Sequence, residues 1–322
     1  MINNVRAVCA DSLEWMKTQQ DGSYDLIVAD PPYNVGKDYG NNSDSAEKEQ
    51  QREFSRAWLQ EASRLLCSTG TIYVFMGVRN ISYIYYILED VLGLDFNSWI
   101  CWHYTQGLGK RRSFSNRHDD ILMFTKTRNY TFNLDDVRVP QKYYRSVNNM
   151  RGANPGDVWE ISHVHYCQYN RQPHPTQKPE GLLERMIRAS SNPGDRVLDP
   201  FSGSGTTLRV CQQLDRHCDG IEINPVYVED VKKRLALPFD GFDSIDPRMK
   251  RVPRDLNDDE VRQTYIENHV KWFLDHHEGD IKDYMKEVNR MYPSRETSGQ
   301  RRSRAKGRAE NSVGLFSSDG SS

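Results

Sequence analysis

Apolar and polar positions fall into a repeating rhythm along the first two-thirds of this chain. Short apolar runs recur at Tyr24-Asp25-Leu26-Ile27-Val28-Ala29, 70–76, 99–102, 121–124, 196–198 and 220–223. Runs this short, rich in Ile, Val, Phe and Tyr, predict strands buried on both faces. Between them the apolar spacing changes to that of a helix. Phe54, Ala57, Trp58, Ala62, Leu65 and Leu66 share one face, and 81–92, 181–190 and 208–214 carry similar patterns. Strands alternating with helices predict an α/β fold with a doubly wound, mostly parallel sheet.

The rhythm breaks between 129 and 172, where Asn, Tyr, Arg and Gly replace the apolar runs. This stretch is read as an inserted segment dividing a first half (1–128) from a second (173–236). Pro238 and a Gly/Asp-rich stretch then mark a boundary. Residues 256–291 have helical spacing within an extension at 237–292, and 293–322 is a Ser-, Gly- and Arg-rich tail expected to be disordered.

Charge alters this picture. The 322 residues carry a net charge of −2, which excludes a generally basic nucleic-acid binder and a polyacidic protein. Yet 103–151 holds 10 basic and 4 acidic residues, and the tail from 290 is also positive. Two basic segments in an acidic frame suit a local polyanion site. With no long apolar run, no leader-like N-terminus and six cysteines without paired spacing, the chain reads as a cytoplasmic protein with reduced thiols and no membrane span.

Three segments carry candidate chemistry. Asp30-Pro31-Pro32-Tyr33 follows an apolar strand, at the sheet edge where ligands bind in this architecture. The prolines offer carbonyls and no donors, beside a carboxylate, so the site suits an amino group, and Tyr33 adds a flat stacking face. The second segment is Asp199-Pro200-Phe201-Ser202-Gly203-Ser204-Gly205-Thr206-Thr207. Its glycines allow close backbone approach, with neither dinucleotide nor P-loop spacing. Glu222, in Ile221-Glu222-Ile223-Asn224 at the next strand end, suits a ribose diol. The third segment, His174-Pro175-Thr176-Gln177-Lys178-Pro179, offers a hydroxyl, an amide and a cation where a helix begins.

Together and in this order, the three segments resemble the permuted, beta-group, S-adenosylmethionine-dependent DNA amino-methyltransferases, in which the catalytic half precedes the cofactor half. The resemblance spans about residues 5–235. It implies a Rossmann-like methyltransferase fold, with Asp30 and the Pro31 carbonyl accepting from the target amino group within the catalytic set Asp30, Pro31, Pro32 and Tyr33. Tyr33 would stack on a flipped base. Asp199, Phe201, Gly203 and Gly205 correspond to the cofactor loop, with Asn224 beside them. Glu222 corresponds to the ribose acid and Asp11 to the acid that reads the cofactor adenine. Thr176 and Lys178 are placed for the methionine carboxylate.

A ring amine is a poor nucleophile, because its lone pair is delocalised. Two acceptors favour a pyramidal nitrogen and stabilise the positive charge that develops on it. In-line transfer needs no metal, and no metal site is expected: His163-Val164-His165-Tyr166-Cys167 lacks a matching ligand pair. Methylation at cytosine carbon 5 requires a thiolate, carried in that family by a Pro-Cys pair, and no cysteine here follows a proline. Asp at the first motif position, followed by Asn34-Val35-Gly36-Lys37-Asp38-Tyr39-Gly40, resembles the adenine-N6 type. The alternatives are cytosine-N4 methylation, an inactive DNA-binding regulator on this fold, and RNA or protein-glutamine methylation, whose families usually carry Asn-Pro-Pro-Tyr after the cofactor motif. The implied partner is double-stranded DNA. Lys110, Arg111, Arg112 and Arg117 would contact phosphate, and Arg145, Asn148, Asn149 and Arg151, in a target-recognition insert, would read bases. A cognate restriction endonuclease can accompany such an enzyme, and monomer and homodimer both stay open.

Overall fold

The computed structural model describes residues 4–32, 48–104, 109, 111–139, 152–164, 172 and 174–238. Met1–Pro140 with Asn154–Val252 form one compact unit, which carries everything below; Gln141–Ala153 with Pro253–Ser322 form a second. The helices expected at 256–291 and the tail lie outside the described residues.

The first unit is built on eight strands: β1 (Val5–Cys9), β2 (Tyr24–Ala29), β3 (Leu66–Met76), β4 (Asp95–His103), β5 (His118–Thr125), β6 (Val158–Glu160), β7 (Arg196–Asp199) and β8 (His217–Glu222). Their spatial order is β1-β8-β7-β2-β3-β5-β4-β6. Only the β3–β5 and β4–β5 pairs are antiparallel. The doubly wound, mostly parallel sheet is therefore present.

The central strands are apolar on both sides because helices cover both sides. Leu26 and Val28 of β2, Tyr73 and Phe75 of β3, and Ile121 and Met123 of β5 face one core. That core is closed by α5 (Glu180–Ser190), α6 (Thr206–Gln213) and α7 (Pro225–Ala236). The alternate residues, Ile27, Ala29, Ile72, Val74, Leu122 and Phe124, face a second core under α1 (Ser12–Lys17), α2 (Lys48–Leu65) and α3 (Ile81–Tyr86). The period of two thus sorts each strand between two apolar layers.

Three details depart from the sequence reading. The helix expected over 81–92 is α for one part only. Ile87–Val91 is a π-turn, with Leu92 N donating to Ile87 O at 2.9 Å. Strand β1 was not foreseen: it lies at the sheet edge, and its polar positions break any continuous apolar run. Within 129–172, Val158–Glu160 was likewise not foreseen as a strand; it adds a parallel edge strand to β4. A short α4 (Leu134–Val137) lies nearby, and Asn133 Nδ2 bonds the Ser191 carbonyl after α5 at 2.9 Å.

The connection that matters for the site is the one between β2 and β7. They pair in parallel, Leu26 with Val197 and Ile27 with Leu198. From β2 the chain winds through α2 to β3 on one side, and from β7 through α6 to β8 on the other. The winding reverses between them, and the crevice beyond the carboxyl ends of strands at such a switch point is where this architecture binds ligands.

Candidate functional site

Two motifs 169 residues apart in sequence become neighbours at this crevice. Asp30-Pro31-Pro32 leaves the end of β2, and Asp199 ends β7, leading into the glycine loop and α6. Both line a cavity of about 850 Å³, together with Asp11, Thr176, Lys178 and Glu222.

The glycine loop is held from three directions. Glu222, at the end of β8, accepts from Gly203 N at 3.1 Å and from Asn224 N at 2.8 Å. His174 packs beneath Gly203, where an added Cβ would lie 2.9 Å from the imidazole. Arg234 of α7 donates to the Ser204 carbonyl at 3.0 Å and pairs with Glu180 of α5 at 2.6 Å, both charges being buried. Gly203 and Gly205 have positive φ, so the loop turns tightly into α6, and the missing side chains let it pack closely on His174 and Val231. Phe201 is held edge-on by Trp58 and Phe54 of α2, with ring centroids 5.3 and 6.0 Å away.

Electrostatics set the cavity's preference. Asp11, Asp30, Asp199 and Glu222 all contribute to its wall. Burial pushes the Asp199 carboxyl up to about 7, opposed by hydrogen bonds from Thr207 and Phe201 N and reinforced by Asp30 and Glu222. Burial also raises Glu222. An acidic, desolvated wall of this kind favours a cationic ligand carrying donors.

A pH dependence follows with a definite sign. A carboxyl that titrates near 7 in the fold and near 3.8 when unfolded binds a proton that the unfolded chain releases, so its contribution to stability is lost as pH rises from about 4 to about 7. Asp199→Asn is therefore expected to match the wild type in Tm most closely near pH 4 and to exceed it by a margin that grows toward pH 8. A Tm difference that does not change with pH would contradict this assignment.

Lys178 lines the cavity with its charge already engaged. Its ammonium is paired with the Asp30 carboxylate and lies 5.1 Å above the Phe75 ring. Thr176 bonds to His174 Nδ1 through both its backbone N–H and its hydroxyl, at 3.3 and 3.4 Å. Asp11 caps α1, one carboxylate oxygen accepting from Glu14 N at 3.0 Å. Asn224 caps α7 through Val226 N at 2.9 Å and does not line the cavity, nor does Gly205, which packs on Val231. Arg111 and Arg112 are exposed, and Arg117 is half-buried. Tyr33, Lys110, Arg145, Asn148, Asn149 and Arg151 lie outside the described residues.

A second part of the wall was missed from the sequence: Tyr104, Asn116, His118, Asp119 and His163. The β4–β5 turn leaves and re-enters the sheet at the same edge as Asp30, because β4 runs in the same direction as β2. Tyr104 donates to Asp119 at 3.3 Å, and its ring lies 3.9 Å from that of His163. The signal available was the switch from basic loop to apolar strand at His118, which marks the hairpin but not its place over the cavity.

Residues 24–233 match the DNA methylase family N6_N4_Mtase. The chain belongs to that family. This DNA methylase is 58% identical to the Type II methyltransferase M.HpaI of Haemophilus parainfluenzae, over 92% of its own length and 95% of the relative's. It is 36% identical to the DNA adenine methyltransferase YhdJ of Escherichia coli K12, over 70% of its own chain and 80% of that one. Among solved structures it is similar to M1.HpyAVI in complex with SAM, with a TM-score of 0.54 and 26% identity over 72% of this chain and all of that one. The cytosine-N4-specific PvuII methyltransferase shares its fold, with a TM-score of 0.61 and 18% identity over 81% and 91% of the two chains.

The DNA methylase uses S-adenosylmethionine, and the cavity's residues fit that group. Ser202 is buried in the cavity wall with a hydroxyl that has no hydrogen-bond partner, beside two positive-φ glycines and four carboxylates. The sulfonium and ammonium of the cofactor complement that acidic wall. Among the described residues no helix is long and apolar enough to cross a membrane.

Proposed function

We propose that this DNA methylase transfers a methyl group from S-adenosylmethionine to the N6 amino group of an adenine flipped out of double-stranded DNA at a defined sequence, as the modification component of a restriction–modification system. The observation that carries the reading is the meeting of Asp30-Pro31-Pro32 and the glycine loop at the carboxyl ends of adjacent parallel strands, around one cavity. When bound, the cofactor supplies an electrophilic methyl group on a sulfonium. Glu222, whose oxygens keep acceptor capacity beside their two backbone bonds, takes the ribose hydroxyls. Asp11 takes the cofactor adenine. The glycine loop presents Ser202 and Gly203 to the cavity, and Phe201 is braced against α2 at its side.

Asp30 and the Pro31 carbonyl accept from the target amine as it pyramidalises, and so stabilise positive charge on the nitrogen. The base meets an ion pair already formed, because Lys178 holds Asp30. Lys178 therefore positions the Asp30 carboxylate and shares it with the incoming amine. The similarity to a named adenine methyltransferase, YhdJ, supports the choice of base. The PvuII likeness supports the fold alone.

Expression in a methylation-free host, followed by single-molecule sequencing of modified bases, tests this reading. N6-methyladenine at one short sequence is expected. N4-methylcytosine would overturn the base assignment, and unmodified DNA would overturn catalysis.

The basic β4–β5 turn is assigned to phosphate contact. Replacing Lys110, Arg111 and Arg112 together by alanine is expected to reduce the slope of log affinity against log salt by about 2–3, as the release of counterions from three phosphates requires. An unchanged slope would take this turn off the DNA.

A further inference from the structure

The β4–β5 turn carries a feature that phosphate contact does not explain. Phe114 is 98% exposed, whereas every other large apolar side chain among the described residues is 63% exposed or less. Its neighbours in sequence are Arg111, Arg112, Ser113, Ser115, Asn116 and Arg117. A phenyl ring fully in water forfeits the burial that stabilises every core aromatic here. It contributes nothing to the packing of this domain.

Its location gives the ring a use. Asn116 and His118 line the cavity, while Phe114 does not. Two residues of extended chain span at most about 7 Å, so the Phe114 backbone lies within about 7 Å of that of Asn116 in the cavity wall. The turn emerges at the sheet edge where Asp30 lies. The arrangement is an apolar wedge, carried on a cationic turn, beside an acceptor-lined pocket sized for a small molecule and a base.

We propose that Phe114 is a positioning residue that inserts into the duplex beside the target adenine, takes over the stacking that the base gives up, and so favours its extrusion into the cavity. The inference rests on the reading of the chain as a base-flipping DNA adenine methyltransferase. Apolar wedges that enter a base step partly unstack it, and the charge around Phe114 suits approach between phosphates. Unstacking and unpairing oppose extrusion in a paired duplex and fall away when the target has no partner. A wedge therefore matters for the first substrate and not for the second, which a phosphate contact or a purely structural role does not reproduce.

The test uses the full chain and two duplexes carrying the sequence found by modified-base sequencing. In one the target adenine is paired with thymine; in the other it faces an abasic site. Phe114→Ala is expected to lower kcat/KM on the paired duplex by about tenfold or more. On the abasic duplex the loss is expected to be less than about threefold, with S-adenosylmethionine affinity by calorimetry unchanged. Phe114→Leu, which keeps apolar bulk, is expected to recover most of the paired-duplex activity. An equal loss on both duplexes, or no loss on the paired one, would overturn the wedge. If the wild-type chain modifies no adenine in the host, the underlying reading fails and the wedge with it; if it does and Phe114→Ala is indifferent to pairing, the wedge alone fails.

Discussion

Replacing Asp30 by asparagine is expected to lower methyl transfer by about 10²–10³-fold while S-adenosylmethionine binding is retained. The carboxylate sits just past the end of β2, followed by two prolines that have no N–H to offer. An incoming amine therefore meets only acceptors from this segment. Asparagine preserves shape but replaces one acceptor oxygen by a donor nitrogen and removes the charge that stabilises a cationic nitrogen. It also leaves the Lys178 ammonium, which is 11% exposed at its side chain, without its counter-charge and next to the developing cation. Glu222 and the glycine loop lie on β8 and after β7 and do not depend on Asp30, so cofactor binding should survive. Single-turnover transfer with labelled cofactor, paired with calorimetry, separates the two. A variant that retains more than about a tenth of wild-type activity would show that the acceptor role belongs elsewhere.

Replacing Gly205 by alanine is expected to cost about 2–5 kcal/mol of stability. Two terms combine. Gly205 has φ +72°, a conformation that strains any L side chain. A Cβ there would also lie 2.6 and 2.7 Å from the two methyl groups of Val231, which is itself 1% exposed and cannot swing away. Gly194 provides the control: it has φ +88° with nothing within 4 Å of an added Cβ. Gly194→Ala should show only the backbone term, about 1–2 kcal/mol. Urea denaturation of the two variants checks the difference. Equal losses would mean that α7 yields to the methyl group and that the packing of Gly205 on Val231 does not hold the loop.

Local pattern was enough for most of the strands and for the three motifs. The central strands β2, β3, β5 and β7 lie under helices on both sides, so continuous apolar runs marked them. β1 and β6 were invisible for the opposite reason. They are edge strands, and β6 has only Trp159 buried of its three residues. The π-turn at Ile87–Val91 left no mark either, since its apolar residues continue the helical spacing of α3.

At the site, residue types were legible and their partners were not. Asp30, Asp199 and Glu222 were recognisable as carboxylates at strand ends, because an apolar run stops at each. That Lys178 would reach Asp30, that Asn224 would cap α7, and that His174 and Arg234 would brace the glycine loop depended on distances that no spacing encodes.

The sequence by itself determined the types of most central elements, the two-faced burial of the central strands, the chemistry available at each strand end and the family. Those are properties of short segments, set by side-chain period and backbone freedom. Only the tertiary structure decided that β2 and β7 lie side by side, that the β4–β5 turn hangs over the same edge, and that one cavity joins them. Strand pairing is made by backbone hydrogen bonds that are nearly the same for every residue, so which strands pair is selected by the packing of the whole sheet between its two helical layers.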